Sequence, residues 1–193
     1  MGDNVNLEPK TIFDRFVGKI PMFNIASSND WESWTKEVTL FFKSWGESLG
    51  FDVRCRRKYG GEKEFMTIDL VWVRRGTEFR YIDLALENEN YYFEKAIKHD
   101  ELQKLLHLKS LLKVLIIHLN WNGAAEKAAE VAREIHSCAL RLDGERYLLM
   151  VCLPGENKGR KEQFVRIRGY VFDNLGTSIA EYDSGTIQLR QNV

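Results

Sequence analysis

Apolar residues recur at helical spacing in the first third of the chain. Those that fall on one side of a predicted helix are Trp31, Trp34, Val38, Phe41, Phe42, Trp45 and Leu49. Capping residues precede this run at Ser28, Asn29 and Asp30, and Gly50 follows it as a stop signal. The pattern predicts a helix from about residue 31 to residue 50, after an irregular or partly helical lead-in.

Runs of β-branched and aromatic residues follow, and turn residues separate them. Three runs lie at about 51–58, 64–74 and 79–88, divided by Gly60-Gly61 and Gly76-Thr77. The remaining predicted elements are a helix at about 93–112, a strand at 113–119, a helix at about 124–140, and strands at 147–153, 163–172 and 179–189. This order predicts an α/β protein with a mixed β-sheet flanked by helices.

Length and composition favour a single domain with a substantial core. The chain has 193 residues, 44% of them hydrophobic, and its basic and acidic residues balance to zero net charge. Binding of a polyanion would therefore depend on local basic patches. The three cysteines lack metal-binding spacing and indicate reduced thiols. Neither a signal-peptide pattern nor an apolar run of about 18 residues is evident, so we expect a cytoplasmic protein without membrane association.

Acidic residues cluster at the end of the third predicted strand, although strands generally avoid carboxylates. Alternation along Tyr81–Asn90 places Asp83, Glu87 and Glu89 on one face, opposite the apolar residues. Asp69 lies in the preceding predicted strand. Three carboxylates that converge from neighbouring strands favour a hard divalent cation, so Asp69, Glu87 and Glu89 predict a site for Mg²⁺ or Mn²⁺.

The order of these elements and acids resembles the PD-(D/E)xK nuclease superfamily, which has the restriction-endonuclease-like fold. That family has an αβββαβ core with an Asp in the second strand and Glu-x-Lys in the third. The matching residues here are Asp69 and, eighteen positions later, Glu87-Asn88-Glu89. The resemblance covers about residues 31–119 and leaves 120–193 as a C-terminal extension. It implies a nuclease in which Asp69 and Glu87 bind Mg²⁺ or Mn²⁺ and Glu89 completes the metal shell or acts as general base.

The chain departs from the family motif at the lysine, whose position is occupied by Glu89. Some enzymes of this fold keep activity with that variant, and in others the lysine lies on the following helix. Lys98, Glu101 and Lys104 are the candidates on the predicted helix. Glu101 and Lys104 share an otherwise apolar side of that helix, and a charged residue there is costly without a partner. Lys104 is the favoured assisting residue.

The spacing of the strands poses a geometric question. A tight two-residue turn at Gly76-Thr77 would place Asp69 opposite about Leu84 rather than Glu87. That offset corresponds to roughly 10 Å along a strand. The predicted site therefore requires a longer loop, a bulge or a bend between the two strands.

Basic residues supply candidate phosphate contacts. Arg54, Arg56 and Lys58 share one face of the first predicted strand and could bind phosphate or form a charged edge that resists aggregation. Further basic residues stand at Arg74, Arg75 and Arg80, and in the segment Lys158–Lys161 with Arg166 and Arg168, which is more typical of a solvated hairpin. Trp31, Trp34 and Trp45 are predicted core residues, the four histidines structural or surface residues, and Glu37 a weak additional site candidate.

These observations favour a Mg²⁺-dependent nuclease, with DNA preferred over RNA as substrate, and the resemblance permits a homodimer. Two alternatives stay open at the level of sequence. The first is a nuclease-fold protein that has lost catalysis and binds a partner. The second is an unrelated α/β interaction protein in which the acidic strand ends are coincidental.

Overall fold

A computed structural model describes residues 7–25, 27, 30–56, 58, 67–76, 81–89, 101–119, 122–154 and 164–190. These residues form one mixed sheet of seven strands between two helical layers. The strands are β1 (Asp52–Cys55), β2 (Leu70–Val73), β3 (Ile82–Glu89), β4 (Ser110–His118), β5 (Arg146–Pro154), β6 (Phe164–Asp173) and β7 (Ser178–Gln188). Their order in space is their order in the chain. Strands β3, β4 and β5 pair in parallel, and the pairs β1–β2, β2–β3, β5–β6 and β6–β7 are antiparallel.

Helices cover both faces of the sheet. They are α1 (Pro9–Lys19), α2 (Trp31–Ser48), α3 (Leu102–His107) and α4 (Ala124–Ser137). Helices α1 and α2 pack on the face that carries Leu84 and Leu86 of β3, and α3 and α4 pack on the opposite face with Ala85. Each face therefore buries its own apolar cluster, and the central parallel strands have buried side chains on both sides. The predicted mixed sheet flanked by helices is confirmed.

Helix α2 agrees closely with its predicted bounds. The Asp30 side chain accepts a hydrogen bond from the Ser33 backbone amide at 3.2 Å, which caps the helix. Gly50 follows the helix with a φ of +87°, a conformation that favours glycine. The capping and stop signals in the sequence therefore correspond to real helix ends.

The described residues agree with one expectation and correct another. The lead-in is partly helical, as predicted: it contains helix α1, which begins with Pro9 at its first turn and buries Ile12, Phe13 and Phe16. The predicted helix at 93–112 ends at His107, because residues from Ser110 onward form β4. Pairing of β4 between β3 and β5 satisfies its buried backbone groups, and this outweighs the local helical spacing. Residues 93–100 of that prediction lie outside the described residues.

Helix α1 also contacts the last strands of the sheet. The Phe13 ring lies against the backbone of Gly169 in β6, where a Cβ would come within 2.7 Å of the ring. Its centroid is 5.2 Å from that of Tyr182 in β7, the residue paired with Gly169. Glycine at this position permits the close approach of the helix.

The pairing of β2 with β3 determines whether Asp69 lies opposite Leu84 or Glu87. The Arg74 amide donates to the Tyr81 carbonyl at 2.9 Å, so the strands are hydrogen-bonded up to these two residues and are not joined by a two-residue turn. A register shift at Trp72/Val73 follows, and Leu70 then pairs with Leu86. This register brings Asp69, immediately before β2, beside Glu87.

Candidate functional site

The end of β3 brings Asp69 and Glu87 together. The Asn88 backbone amide donates to Asp69 Oδ2 at 2.9 Å, which fixes the Asp69 side chain against β3. Glu87 lies on the same face of the sheet as Asp83, as the alternation predicted. Asp83 lies at the other end of the strand, where it forms an ion pair with Arg74.

Glu87 is almost completely buried, with a side-chain exposure of 1%. Its Oε1 has no hydrogen-bond partner among the described residues, and Lys104 Nζ lies 3.9 Å from it. Lys104 projects from α3 and forms a closer ion pair with Glu101, one residue before that helix. A buried carboxylate with an unsatisfied oxygen is costly, which makes Glu87 the least satisfied acid of the site.

The protonation behaviour of the two central acids follows from burial and mutual repulsion. Burial, together with the negative charges of Asp69 and Glu101, raises the pKa of Glu87 to about 10. Burial also raises the pKa of Asp69, although the Asn88 amide and the Arg56 guanidinium act in the opposite direction. Glu87 is therefore the acid of this pair that carries a proton at neutral pH.

Two basic side chains, Arg56 and Lys104, lie beside these acids. Arg56 Nε lies 2.9 Å from Asp69 Oδ1. Burial lowers the pKa of Lys104, but its hydrogen bond to Glu101 and the charges of Glu87 and Glu101 raise it more, so the net shift is upward. Lys104 is therefore a stable cation next to the acids.

A cavity of about 400 Å³ opens beside this cluster. It is lined by Trp31, Glu32, Thr35, Arg56, Lys58, Asp69, Glu87, Asn88, Glu89 and Glu101. The lining combines carboxylates, cations and an aromatic ring. A larger depression of about 700 Å³ lies between α1 and β7, but its lining is mainly apolar and lacks such a cluster.

Most of the predicted site residues meet at the cavity. Asp69, Glu87 and Lys104 are neighbours, and Glu89 lines the cavity. Glu101 also lines it and, like Asp69, raises the pKa of Glu87. Glu37 is not part of the lining, and Lys98 lies outside the described residues.

The predicted basic patches separate into two groups. Arg56 and Lys58 line the cavity, whereas Arg54 lies 3.5 Å from Asp52 in the same strand. Ion pairs with acidic neighbours account for several others: Arg74 with Asp83, Arg166 with Asp183, and Arg168 with Asp183 and Glu181. These pairs support the prediction that Arg166 and Arg168 lie on the solvated surface of a hairpin. Arg57, Arg80 and Lys158–Lys161 lie outside the described residues.

Sequence reasoning missed the role of Trp31 and Asn88. Trp31 was predicted to be core, but it is partly exposed and lines the cavity, while Trp34 and Trp45 are buried as expected. Trp31 is the first residue of α2, next to the capping residue Asp30, and this position at the end of the helix was the signal in the sequence that it could lie outside the core. The Asn88 side chain donates to Thr35 Oγ1 of α2 at 3.4 Å, and its backbone amide donates to Asp69.

The donor set bears directly on metal binding. Within the described residues, no group of three or more His, Cys, Asp or Glu side chains is arranged to hold a metal ion. Asp69 and Glu87 nevertheless present buried carboxylate oxygens at the cavity, one of them without a hydrogen-bond partner. Hard divalent cations prefer such oxygens, and in the structure the cations beside this pair are Arg56 and Lys104.

Comparisons of the chain with protein-family models, curated protein sequences and solved structures found no match. Across the part of the chain described here, no helix is both long and apolar enough to cross a membrane.

Proposed function

We propose that this protein is a metal-dependent nuclease of the PD-(D/E)xK type, which hydrolyses phosphodiester bonds in DNA with Mg²⁺ or Mn²⁺. One observation supports this most strongly. The β2–β3 register brings Asp69 beside Glu87, and Lys104 approaches Glu87 from the following helix. This is the arrangement that the resemblance predicts for a chain whose motif carries Glu89 in place of lysine.

Asp69 and Glu87 would hold the ion through their carboxylates, and Glu89 at the cavity would complete the site. The bound metal would supply a nucleophilic water and stabilise charge at the phosphate. Lys104 would orient that water or contact a phosphate oxygen. Its raised pKa keeps it charged for this purpose.

Arg56 and Lys58 would contact the phosphate backbone at the cavity mouth. Both line the cavity, and Arg56 already neutralises Asp69. With a metal bound to Asp69, the Arg56 guanidinium would be placed to donate two hydrogen bonds to a phosphate group. Arg56 would therefore neutralise the charge of Asp69 before the substrate arrives and contact a phosphate of the substrate afterwards.

A second candidate is a nuclease-fold module that binds a partner without catalysis. The ion pairs of Arg56 with Asp69 and of Lys104 with Glu101 favour it, because they neutralise the acids without a metal. Retention of three buried or half-buried acids at one cavity is harder to explain on this view, since each costs desolvation energy.

The test is cleavage of linear, nicked and branched DNA with Mg²⁺, Mn²⁺ or chelator, using wild type, Glu87→Gln and Asp69→Asn. We expect metal-dependent cutting that falls roughly 10³-fold in each variant, because loss of a metal ligand removes several kcal/mol of charge stabilisation. Calorimetric titration with Mn²⁺ should show weaker binding by both variants.

Glu126→Gln is the matched control, since Glu126 is an exposed glutamate in the first turn of α4. It should cut and bind metal like wild type. Metal binding without cleavage of any substrate would favour the non-catalytic module. Cutting at the wild-type rate by Glu87→Gln would refute the proposed site.

A further inference from the structure

We propose that Trp31 stacks on an unpaired nucleobase next to the scissile phosphate, so that the substrate carries a single-stranded nucleotide at the carboxylate cavity. This inference rests on the proposed nuclease function and adds the class of nucleic acid to it.

The position of Trp31 differs from that of the other tryptophans in α2. Trp34 and Trp45 have exposures of 1% and 7% and belong to the apolar core. Trp31 is partly exposed and lines the same cavity as Asp69 and Glu87. A large aromatic ring beside a cluster of acids contributes little to the core, whereas it offers a surface for a planar apolar group.

The interior contacts of Trp31 hold its ring in place. The His118 ring lies edge-on to Trp31 with a centroid distance of 5.1 Å, and edge-on to Trp34 at 4.8 Å. His118 is buried, and burial lowers its pKa to about 3, so it packs as a neutral aromatic ring. One neutral side chain thus fixes both tryptophans, and Trp31 is oriented before a ligand arrives. Such preorganisation reduces the entropy lost on binding.

The rest of the cavity suits the other parts of a nucleotide. Its volume of about 400 Å³ is in the range of pockets that enclose a small ligand. Arg56 and Lys58 provide charges for phosphate groups, and the acids provide the metal site. Trp31 supplies the aromatic ring in this lining, which offers a flat apolar face for a base.

Stacking on Trp31 requires a base that is not covered by its neighbours in a duplex. Bases in an intact duplex are covered by their neighbours on both sides, so a ring can stack on one only after it leaves the helix. An unpaired base needs no such step. Stacking on an aromatic side chain accepts any base, which implies preference for single-stranded segments without preference for sequence.

The test is equilibrium binding of a fluorescent oligothymidylate and of the same strand in a duplex, measured by anisotropy in Ca²⁺. Trp31→Ala should weaken binding of the single strand about 5- to 150-fold, which corresponds to the loss of one stacked base. Trp31→Phe keeps an aromatic face and should retain most of the affinity. Binding of the duplex should change little in either variant.

Tyr81→Ala is the matched control, because Tyr81 is an exposed aromatic residue away from the cavity. If Trp31→Ala does not fold, Trp31→Leu against Trp31→Phe gives the same comparison. Wild-type affinity of Trp31→Ala or Trp31→Leu for the single strand would overturn the inference, and metal-dependent cleavage would then still support the nuclease. Failure of the wild type both to bind and to cut nucleic acid would overturn both proposals.

Discussion

Two buried charged clusters lie on the same face of the sheet and differ in how their charges are balanced. In the first, Lys113 Nζ lies 2.8 Å from Glu145 Oε1 and 3.1 Å from the Tyr147 hydroxyl, which donates to Glu145 Oε2 at 3.1 Å. In the second, three acids share Arg56 and Lys104, and an oxygen of Glu87 has no hydrogen-bond partner.

The difference separates a structural cluster from one that can bind a ligand. Lys113 and Glu145 are 1% and 3% exposed, and one positive charge meets one negative charge there. Burial lowers the pKa of Lys113, but the neighbouring Glu145 opposes that shift. The second cluster has three acids to the two bases Arg56 and Lys104, and it borders a cavity. The excess acid, Glu87, is kept neutral by a proton, which a bound cation would displace.

The largest effect on stability should come from breaking the balanced cluster. Lys113→Met leaves Glu145 buried without its cation, and we expect a loss of about 3–5 kcal/mol in the free energy of unfolding. Urea denaturation monitored by tryptophan fluorescence measures this loss. Lys109→Met, an exposed lysine just before β4, should stay within about 0.5 kcal/mol of wild type.

The double variant Lys113→Met/Glu145→Gln sharpens this prediction. Removing both charges also removes the unpaired acid, so the double variant should be more stable than Lys113→Met alone. Equal or greater destabilisation would contradict a balanced ion pair.

A smaller effect is expected from pH acting on the unbalanced cluster. The pKa of Glu87 is raised from 4.5 to about 10, so its protonation stabilises the folded state fully below about pH 4.5 and that contribution is lost as pH rises toward 10. The slope is at most about 1.4 kcal/mol per pH unit, or roughly 2–3 kcal/mol between about pH 5 and about pH 7.

Glu87→Gln should flatten this dependence in metal-free protein, as measured by urea denaturation across that range. Glu126→Gln should keep the wild-type slope, because Glu126 is exposed. An unchanged slope in Glu87→Gln would show that Glu87 does not carry the proton.

The smallest effect should come from Tyr147→Phe. This change removes the hydroxyl that bridges Lys113 and Glu145 but leaves their direct contact. We expect a loss of about 1.5 kcal/mol, the lower end of the range for hydrogen bonds to charged groups, because the direct contact of Lys113 with Glu145 stays. A loss as large as that of Lys113→Met, measured by the same denaturation, would mean that the hydroxyl holds the pair together.

The sequence was sufficient to predict the elements that have a strong local pattern. Helix α2 has a clear apolar side and capping residues, and alternation in β3 correctly placed Glu87 on the face opposite Leu84 and Leu86. The αβββαβ order is present in the described residues, and the more specific restriction-endonuclease-like fold stays a prediction.

Features that depend on strand register or on packing between elements could not be predicted from the local sequence pattern. The meeting of Asp69 and Glu87 depends on the length of the β2–β3 loop and on a bulge. The Lys113–Glu145 pair depends on the β4–β5 register, which sets Lys113 opposite Tyr147. Trp31 has the same helical spacing as core residues, and only packing reveals that it lines the cavity.

The packing of Phe13 on Gly169 sets an order of events when the chain folds. Each strand pairs with the strand made just before it, so the sheet can grow one strand at a time from β1 to β7. Helix α1 is made before all of them, yet its Phe13 contacts lie on β6 and β7, the last strands to appear. Phe16 of the same helix contacts Trp34 and Phe42 of α2, which is made before any of the strands. Helix α1 can therefore pack on α2 early, whereas its Phe13 contacts form only after β6 and β7 have been made.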